Sequence, residues 1–364
     1  MWSYARLPRL TGELVRSPIA AASALAIALA ACSSGAGSRD GAAFDAATRE
    51  LPLEARQVGV QARDDLVENS AAAMSARQPG VFFSINDSGN EPLLFALDTT
   101  GADRGAWRIA QATNVDWEGV ALGPCARADS ATVRSGSRAC VYIADVGDNE
   151  ERRPTRVIYR TPEPNAEQAG YLGVLPAERL AFRYADGPHD VEAMYVAPTG
   201  ATYLITKRPR VGSTGSLRPA LVFMIPASAW GRDTLALAEL VDSLPIVPGS
   251  APGRSITDAS LAQDGRHLAV RTYAEVYVFA SDPLTGRVLA GVPPARCNTG
   301  NVAQGYGEGI TWIGAATALL LTREGRHAPL LVVRCPMPLR STSAPATSPG
   351  ATRAAGVPLA PPSA

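Results

Sequence analysis

Asp116-Trp-Glu118-Gly-Val-Ala is a short acidic phrase set at the foot of a predicted strand, and the chain returns to it. Glu68-Asn-Ser-Ala precedes it. Asp190-Val-Glu192-Ala-Met-Tyr, Thr257-Asp258-Ala-Ser-Leu and Gly307-Glu308-Gly-Ile-Thr-Trp follow. The acidic positions 68, 118, 192, 258 and 308 are spaced by roughly 50 to 74 residues, about the length of a four-stranded propeller blade. A carboxylate placed once per blade, at the same point of each, gathers around the central axis. Like charges held that close repel unless protons or a cation neutralise them. The repeat therefore predicts an all-β chain: a β-propeller of four-stranded blades, with five readable repeats, five or six blades and an acidic centre.

The rest of the body agrees. Gly80-Val-Phe-Phe-Ser-Ile-Asn, Cys140-Val-Tyr-Ile-Ala-Asp, Ala220-Leu-Val-Phe-Met-Ile and Ala274-Glu-Val-Tyr-Val-Phe are short β-branched and aromatic runs bounded by turn residues. Pro198-Thr-Gly-Ala and Gln263-Asp-Gly-Arg supply tight turns. Each repeat then offers three further strands after the phrase. The segment Arg56 to Gln61 can close the ring by joining the last blade, and the longest intervals leave slack for a sixth, degenerate one.

Hard cations take carboxylate and carbonyl oxygens, and the expected metal set collects them: Asp87, Asp116, Glu118, Asp145, Asp148, Asn149, Asp190, Glu192, Asp258 and Glu308. Asp116 with Glu118, and Asp190 with Glu192, stand two residues apart, which on a strand puts both on one face. Two such pairs could ligate calcium or divide into an acid and a base. They could equally accept backbone N–H bonds from the next blade and lock the ring. Asp145-Val-Gly-Asp148-Asn149 and Asn86-Asp87-Ser-Gly keep a similar ambiguity between metal binding and Asx-turn chemistry. Lys207, the sole lysine, ends a strand just past the Asp190 phrase and suits an anionic ligand, or a solvated strand end. Glu118, Glu192 and His189 are the catalytic candidates. The three histidines form no zinc-type cluster, and no Gly-x-Ser-x-Gly elbow supplies a nucleophile.

The ends bear on location. Arg6, Arg9 and Arg16 lead into an apolar run, Ile19 to Ala31, short for a membrane span. Residues 1–31 are thus expected to be a signal peptide, 32–52 a polar tether, 53–340 the propeller and 341–364 a Ser/Thr/Ala/Pro tail without a core. The chain carries 34 basic and 34 acidic side chains, and this balance offers no basic face for nucleic acid. Four cysteines follow Cys32, an even number that favours disulfides in an oxidising compartment. Cys125 with Cys140, flanking a polar loop, and Cys297 with Cys335, bracketing the last repeat, are one of three possible connectivities.

Two resemblances add to this reading. Leu29-Ala30-Ala31-Cys32 resembles a bacterial lipobox, which implies lipid on Cys32, a membrane partner and, with Ser33 following, outer-membrane sorting facing the periplasm or cell surface. Asn86-Asp-Ser-Gly, Asp116-Trp-Glu-Gly and Asp145-Val-Gly-Asp-Asn, followed by Arg153 and Tyr159-Arg-Thr-Pro-Glu, resemble a group of exported bacterial propeller lipoproteins. Those are similar to the six-bladed TolB-like and esterase-like-phytase propellers. In calcium-dependent propeller phytases an acidic channel holds calcium ions that bind phosphate and activate water. Their Asp-Ala-Asn/Asp-Asp-Pro-Ala signature is missing here. The expected function is a lipid-anchored envelope protein with a calcium-binding centre, serving as a scaffold for an unknown envelope protein or small ligand. The alternative is a calcium-dependent hydrolase of phosphate esters or lactones.

Overall fold

The computed structural model describes residues 54–125, 139–207, 219–246, 252–302 and 307–338, together with the backbone of Arg49 and Glu50. The leader, Cys32 and the tail from 341 lie outside the described residues. The strands read from the sequence as near-continuous apolar runs are buried on both faces, and their alternation explains why. In Val141-Tyr142-Ile143-Ala144, Val141 and Ile143 face one neighbouring sheet, whereas Tyr142 and Ala144 face the other. Successive side chains of a strand point to opposite sides. A strand wedged between two other sheets must therefore be apolar throughout.

The chain enters through β1 (Arg49–Glu50) and β2 (Glu54–Val60). Blade 1 then runs outward from the axis as β3 (Asn69–Met74), β4 (Val81–Asn86), β5 (Leu93–Asp98) and β6 (Asp103–Ile109). Blade 2 is β7 (Trp117–Pro124), β8 (Ala139–Asp145) and β9 (Arg156–Pro162), followed, after the excursion of β10 (Tyr171–Leu175), by β11 (Glu178–Tyr184). Blade 3 is β12 (Val191–Val196), β13 (Thr202–Thr206), β14 (Ala220–Ile225) and β15 (Ala236–Leu244). Blade 4 is β16 (Ile256–Leu261), β17 (His267–Thr272), β18 (Glu275–Ala280) and β19 (Ala295–Asn298). Blade 5 is β20 (Ile310–Ile313), β21 (Ala318–Leu321) and β22 (Pro329–Arg334), and β2 completes it.

This is a five-bladed ring. The innermost strands β3, β7, β12, β16 and β20 neighbour one another in cyclic order, with β20 returning to β3. Five hydrophobic cores fill the five seams between blades, the last joining Phe82, Phe95 and Leu97 of blade 1 to Leu320 and Leu330 of blade 5. β2 closes the ring as expected, pairing antiparallel with β22 from Glu54↔Arg334 to Val60↔Pro329. Among the described residues, the slack in the longest repeat holds no sixth blade. It is taken up by β10, which crosses back to lie parallel on the outer edge of β6 in blade 1. The likeness to six-bladed propellers thus stops short of the blade count.

The rim is tied in two further places. β11 of blade 2 pairs in parallel with β15 of blade 3. Arg49 and Glu50, within the expected tether, add a short parallel strand to β19. Cys125 is bonded to Cys140 and Cys297 to Cys335, the pairing expected from the sequence.

Candidate functional site

Four of the five inner strands begin with a β-bulge, and the bulges decide what faces the axis. The register skips one residue in each strand: Ser70, Glu118, Glu192 and Thr257. A bulge bends the strand and re-aims the extra side chain. The four bulged residues hold a layer together. Ser70 Oγ donates to Glu118 Oε2 at 2.8 Å, Lys207 Nζ lies 2.5 Å from Glu192 Oε1, and Thr257 Oγ1 donates to the carbonyl of Glu308 at 2.9 Å. Glu118, Glu192 and Glu308 are all buried.

A second layer comes from the residue that ends the second strand of each blade. Asp87, Lys207 and Tyr273 occupy this position in blades 1, 3 and 4, where their N–H groups donate to the carbonyls of Glu68, Asp190 and Ser255. Asp87 meets Asp116 and Glu118: one carboxylate oxygen from each lies within 4.8 Å of the other two. Among the described residues, these three sequence candidates form a carboxylate group that could hold a metal ion.

Electrostatics follow from that crowding. Burial, with the charge of Asp87 added and Arg153 opposing, pushes Asp116 up to about 6. Burial raises Glu118 well above the usual carboxylate range, and the charges of Glu192, Asp87 and Asp116 add to it. Glu192 is raised to about 8 by burial despite Lys207, and Glu308 to about 8 by burial and the neighbouring Glu324. Lys207 is itself desolvated, yet the charge of Glu192 holds its pKa above the ordinary value. One cation therefore serves two buried glutamates. At neutral pH the lysine stays charged and the Glu118–Glu192 pair keeps a proton.

The other candidates have different duties. Asp145 accepts from the N–H groups of Val115 and Asp116 and pairs with Arg153 at 2.5 Å. Asp148 pairs with the buried Arg156, and its N–H donates to Asp190 Oδ1 at 3.0 Å. Asn149 is exposed. The Asp145-to-Asn149 motif is thus a turn clamped by two guanidinium groups, and its contribution to the site is Gly147. A Cβ there would stand 2.5 Å from the Asp116 carboxylate and 2.7 Å from Glu118 Oε1. Gly147→Ala is accordingly expected to displace both carboxylates and weaken cation binding at least tenfold, with little change in melting temperature without cation; calorimetric titration checks it.

Asp258 lies one residue past its bulge, deeper than Glu118 and Glu192. It is fully buried, and its oxygens accept N–H bonds from Ala72 of blade 1 at 3.2 Å, Ile310 of blade 5 at 2.8 Å and its own neighbour Ala259 at 2.8 Å. It is a blade lock. His189 is buried against Tyr184 and Phe223, with Nε2 on Asp186 at 2.8 Å, so it belongs to the seam of blades 2 and 3. Sequence reasoning missed Glu324, Tyr273 and the positioning hydroxyl of Ser70. For Tyr273 a signal existed, since it repeats the register of Asp87 and Lys207.

No protein family matches the chain in sequence, and no curated protein does either. Among solved structures, the glutaminyl cyclase of Myxococcus xanthus overlaps 79% of this chain and 99% of its own, at 13% identity and a TM-score of 0.44. A gluconolactonase of Xanthomonas campestris overlaps 80% of this chain and 92% of its own, at 14% identity and a TM-score of 0.36. The propeller fold rests on the strand pairing and the five seams described above.

Proposed function

We propose that the chain is a divalent-cation-dependent hydrolase of phosphate esters or lactones, working at the acidic mouth of the propeller. The observation that carries this reading is the triad Asp87, Asp116 and Glu118, its oxygens within 4.8 Å of one another, beside the Glu192–Lys207 pair. Three features fit a hard cation such as calcium. The donors are all oxygen, as calcium requires. Asp190 Oδ2 is buried without a hydrogen-bond partner. Gly147 leaves a cradle that any side chain would fill. Asp87, Asp116 and Glu118 would hold the ion, with Asp190 beside them.

Bound calcium supplies Lewis acidity and makes a coordinated water easier to deprotonate. The chain's own groups do the rest. As the water oxygen bonds to the substrate phosphorus or carbonyl carbon, Asp116 takes its proton. Glu192, which shares with Glu118 the proton that the pair keeps, passes that proton to the oxygen that departs. Lys207 faces the negative charge that develops. The test is turnover of nitrophenyl phosphates, phosphodiesters and aliphatic lactones by the purified protein. EDTA is expected to abolish turnover and calcium to restore it, while Glu192→Gln lowers it at least a hundredfold without loss of calcium binding. Calcium binding without turnover on any of these substrates would overturn the hydrolase reading.

A second reading has its own support, since the carboxylate of Asp258 already locks different blades together in this fold. A cation at Asp87, Asp116 and Glu118 would bridge blades 1 and 2 in the same manner, leaving a binding protein with a stiffened ring. With either reading we propose a location outside the cytoplasm, with an anchor through Cys32 at the outer membrane. The basic and apolar leader and the two disulfides support that placement.

A further inference from the structure

We infer that the opposite mouth of the propeller is a second binding site, separate from the acidic one, for a neutral molecule carrying an acyl chain. The far ends of the inner strands enclose a cavity of about 990 Å³, reached by Met74, Leu122, Val196, Leu261 and Ile313, one from each blade. That volume sits at the upper end of the usual range for small-molecule pockets. None of the described residues that line it is charged, whereas the other mouth of the same channel gathers at least five carboxylates.

Several hydrogen-bonding groups of the wall are already engaged, for a reason rooted in propeller geometry. The innermost strand of each blade is a sheet edge, so its outward N–H groups need partners. Here side chains of other blades supply them. Thr311 Oγ1 accepts from the Met74 N–H at 2.7 Å, and Ser260 Oγ from the Trp312 N–H at 3.3 Å. The Trp312 indole N–H is taken by the Ser260 carbonyl at 2.9 Å, and Ser75 Oγ donates to the buried Glu163 at 2.5 Å. Ala72 and Ala259 both line the cavity, and their N–H groups turn toward Asp258. Thus Asp258 lies behind that wall, on the side of the acidic mouth, and is not part of the lining. Polar wall groups spent on one another offer little to a sugar or an ion. An uncharged apolar chain needs nothing from them and gains by leaving water.

The test is titration of the purified protein with N-phenylnaphthylamine, a neutral dye that brightens in apolar surroundings, in the presence of EDTA. Saturable binding at one dye per chain is expected, with energy transfer from Trp312, displacement by dodecanol and none by maltose. Leu122→Glu places a charge in the half-buried wall and is expected to weaken the dye at least tenfold. Leu284→Glu, at a position 71% exposed elsewhere, is expected to leave it unchanged. Dye uptake that never saturates, or that both variants reduce equally, would overturn the proposal. Displacement by dodecanol in the unaltered protein decides the matter even if Leu122→Glu fails to fold. Because EDTA is present throughout, the outcome is independent of the calcium site.

Discussion

Replacing Asp258 with alanine is expected to lower the melting temperature by roughly 4 to 10 °C. The carboxylate accepts from two buried N–H groups, those of Ala72 in blade 1 and Ile310 in blade 5. Each buried donor left without an acceptor costs about 1–3 kcal/mol, so the pair together costs about 2–6 kcal/mol. The loss falls at the seam of blades 5 and 1, beside the blade that β2 completes. Asp258→Asn should recover part of the loss, since an amide keeps one accepting oxygen but turns N–H groups toward a donor. Asp282 is the control: its side chain accepts from Leu284 and Thr285 within an exposed turn, and Asp282→Ala should shift melting by a few degrees at most. Thermal melting by circular dichroism reads all three. An Asp258→Ala protein that melts with the unaltered one would remove the lock from the account of this fold.

That lock also marks the limit of what the amino-acid pattern discloses. The blades were legible because an inner strand touches two neighbouring sheets and must be apolar on both faces, which leaves runs such as Val81-Phe82-Phe83. The return of an acidic residue at blade length was legible for the same reason. Which acidic residue faces the axis was not. A β-bulge adds one residue without a compositional mark, and it promotes Glu118 and Glu192 while leaving Asp258 one step deeper, behind Thr257. Asp145 and Asp148 looked like ligands because their cations, Arg153 and Arg156, stand in the following turn, where adjacency cannot separate an ion pair from a solvated arginine. The blade count was blurred by β10, a strand that belongs by sequence to blade 2 and by pairing to blade 1.

The division of carboxylates into locks and ligands has a physical cause. Asp145, Asp148 and Asp258 each have donors already arranged, a guanidinium or backbone N–H groups. Glu118, Glu192 and Glu308 share one lysine, with the buried Arg271 also acting on Glu308, while Asp116 has only Arg153, already paired with Asp145. A group of buried carboxylates short of cations holds protons, and those protons are what a metal ion must displace.

Without added metal, the protein is therefore expected to lose stability as pH rises from about 4 to 8. The sign follows from proton counting. Asp116 at about 6, and Glu192 and Glu308 at about 8, lie above their unfolded values of 3.8 and 4.5, so between these limits the folded state holds more protons than the unfolded one. Stability then falls as pH increases. Their contribution is fully present below the unfolded values and is lost as pH passes through the folded ones. Calcium should reverse the trend. Its binding discharges protons from Asp116 and Glu118, so affinity is expected to rise with pH, most steeply below pH 6, where Asp116 also holds its proton. The melting-temperature gain from millimolar calcium should be small at pH 5 and large at pH 8. In Glu118→Gln the calcium gain should largely vanish at every pH, and the fall in metal-free stability should become shallower, because one buried acid no longer titrates. Melting across this pH range, with EDTA and then with calcium, measures both. A metal-free melting temperature that rises with pH would mean that these carboxylates are ionised in the folded protein and paired with cations not among those named here, and the acidic mouth would then have no need of calcium.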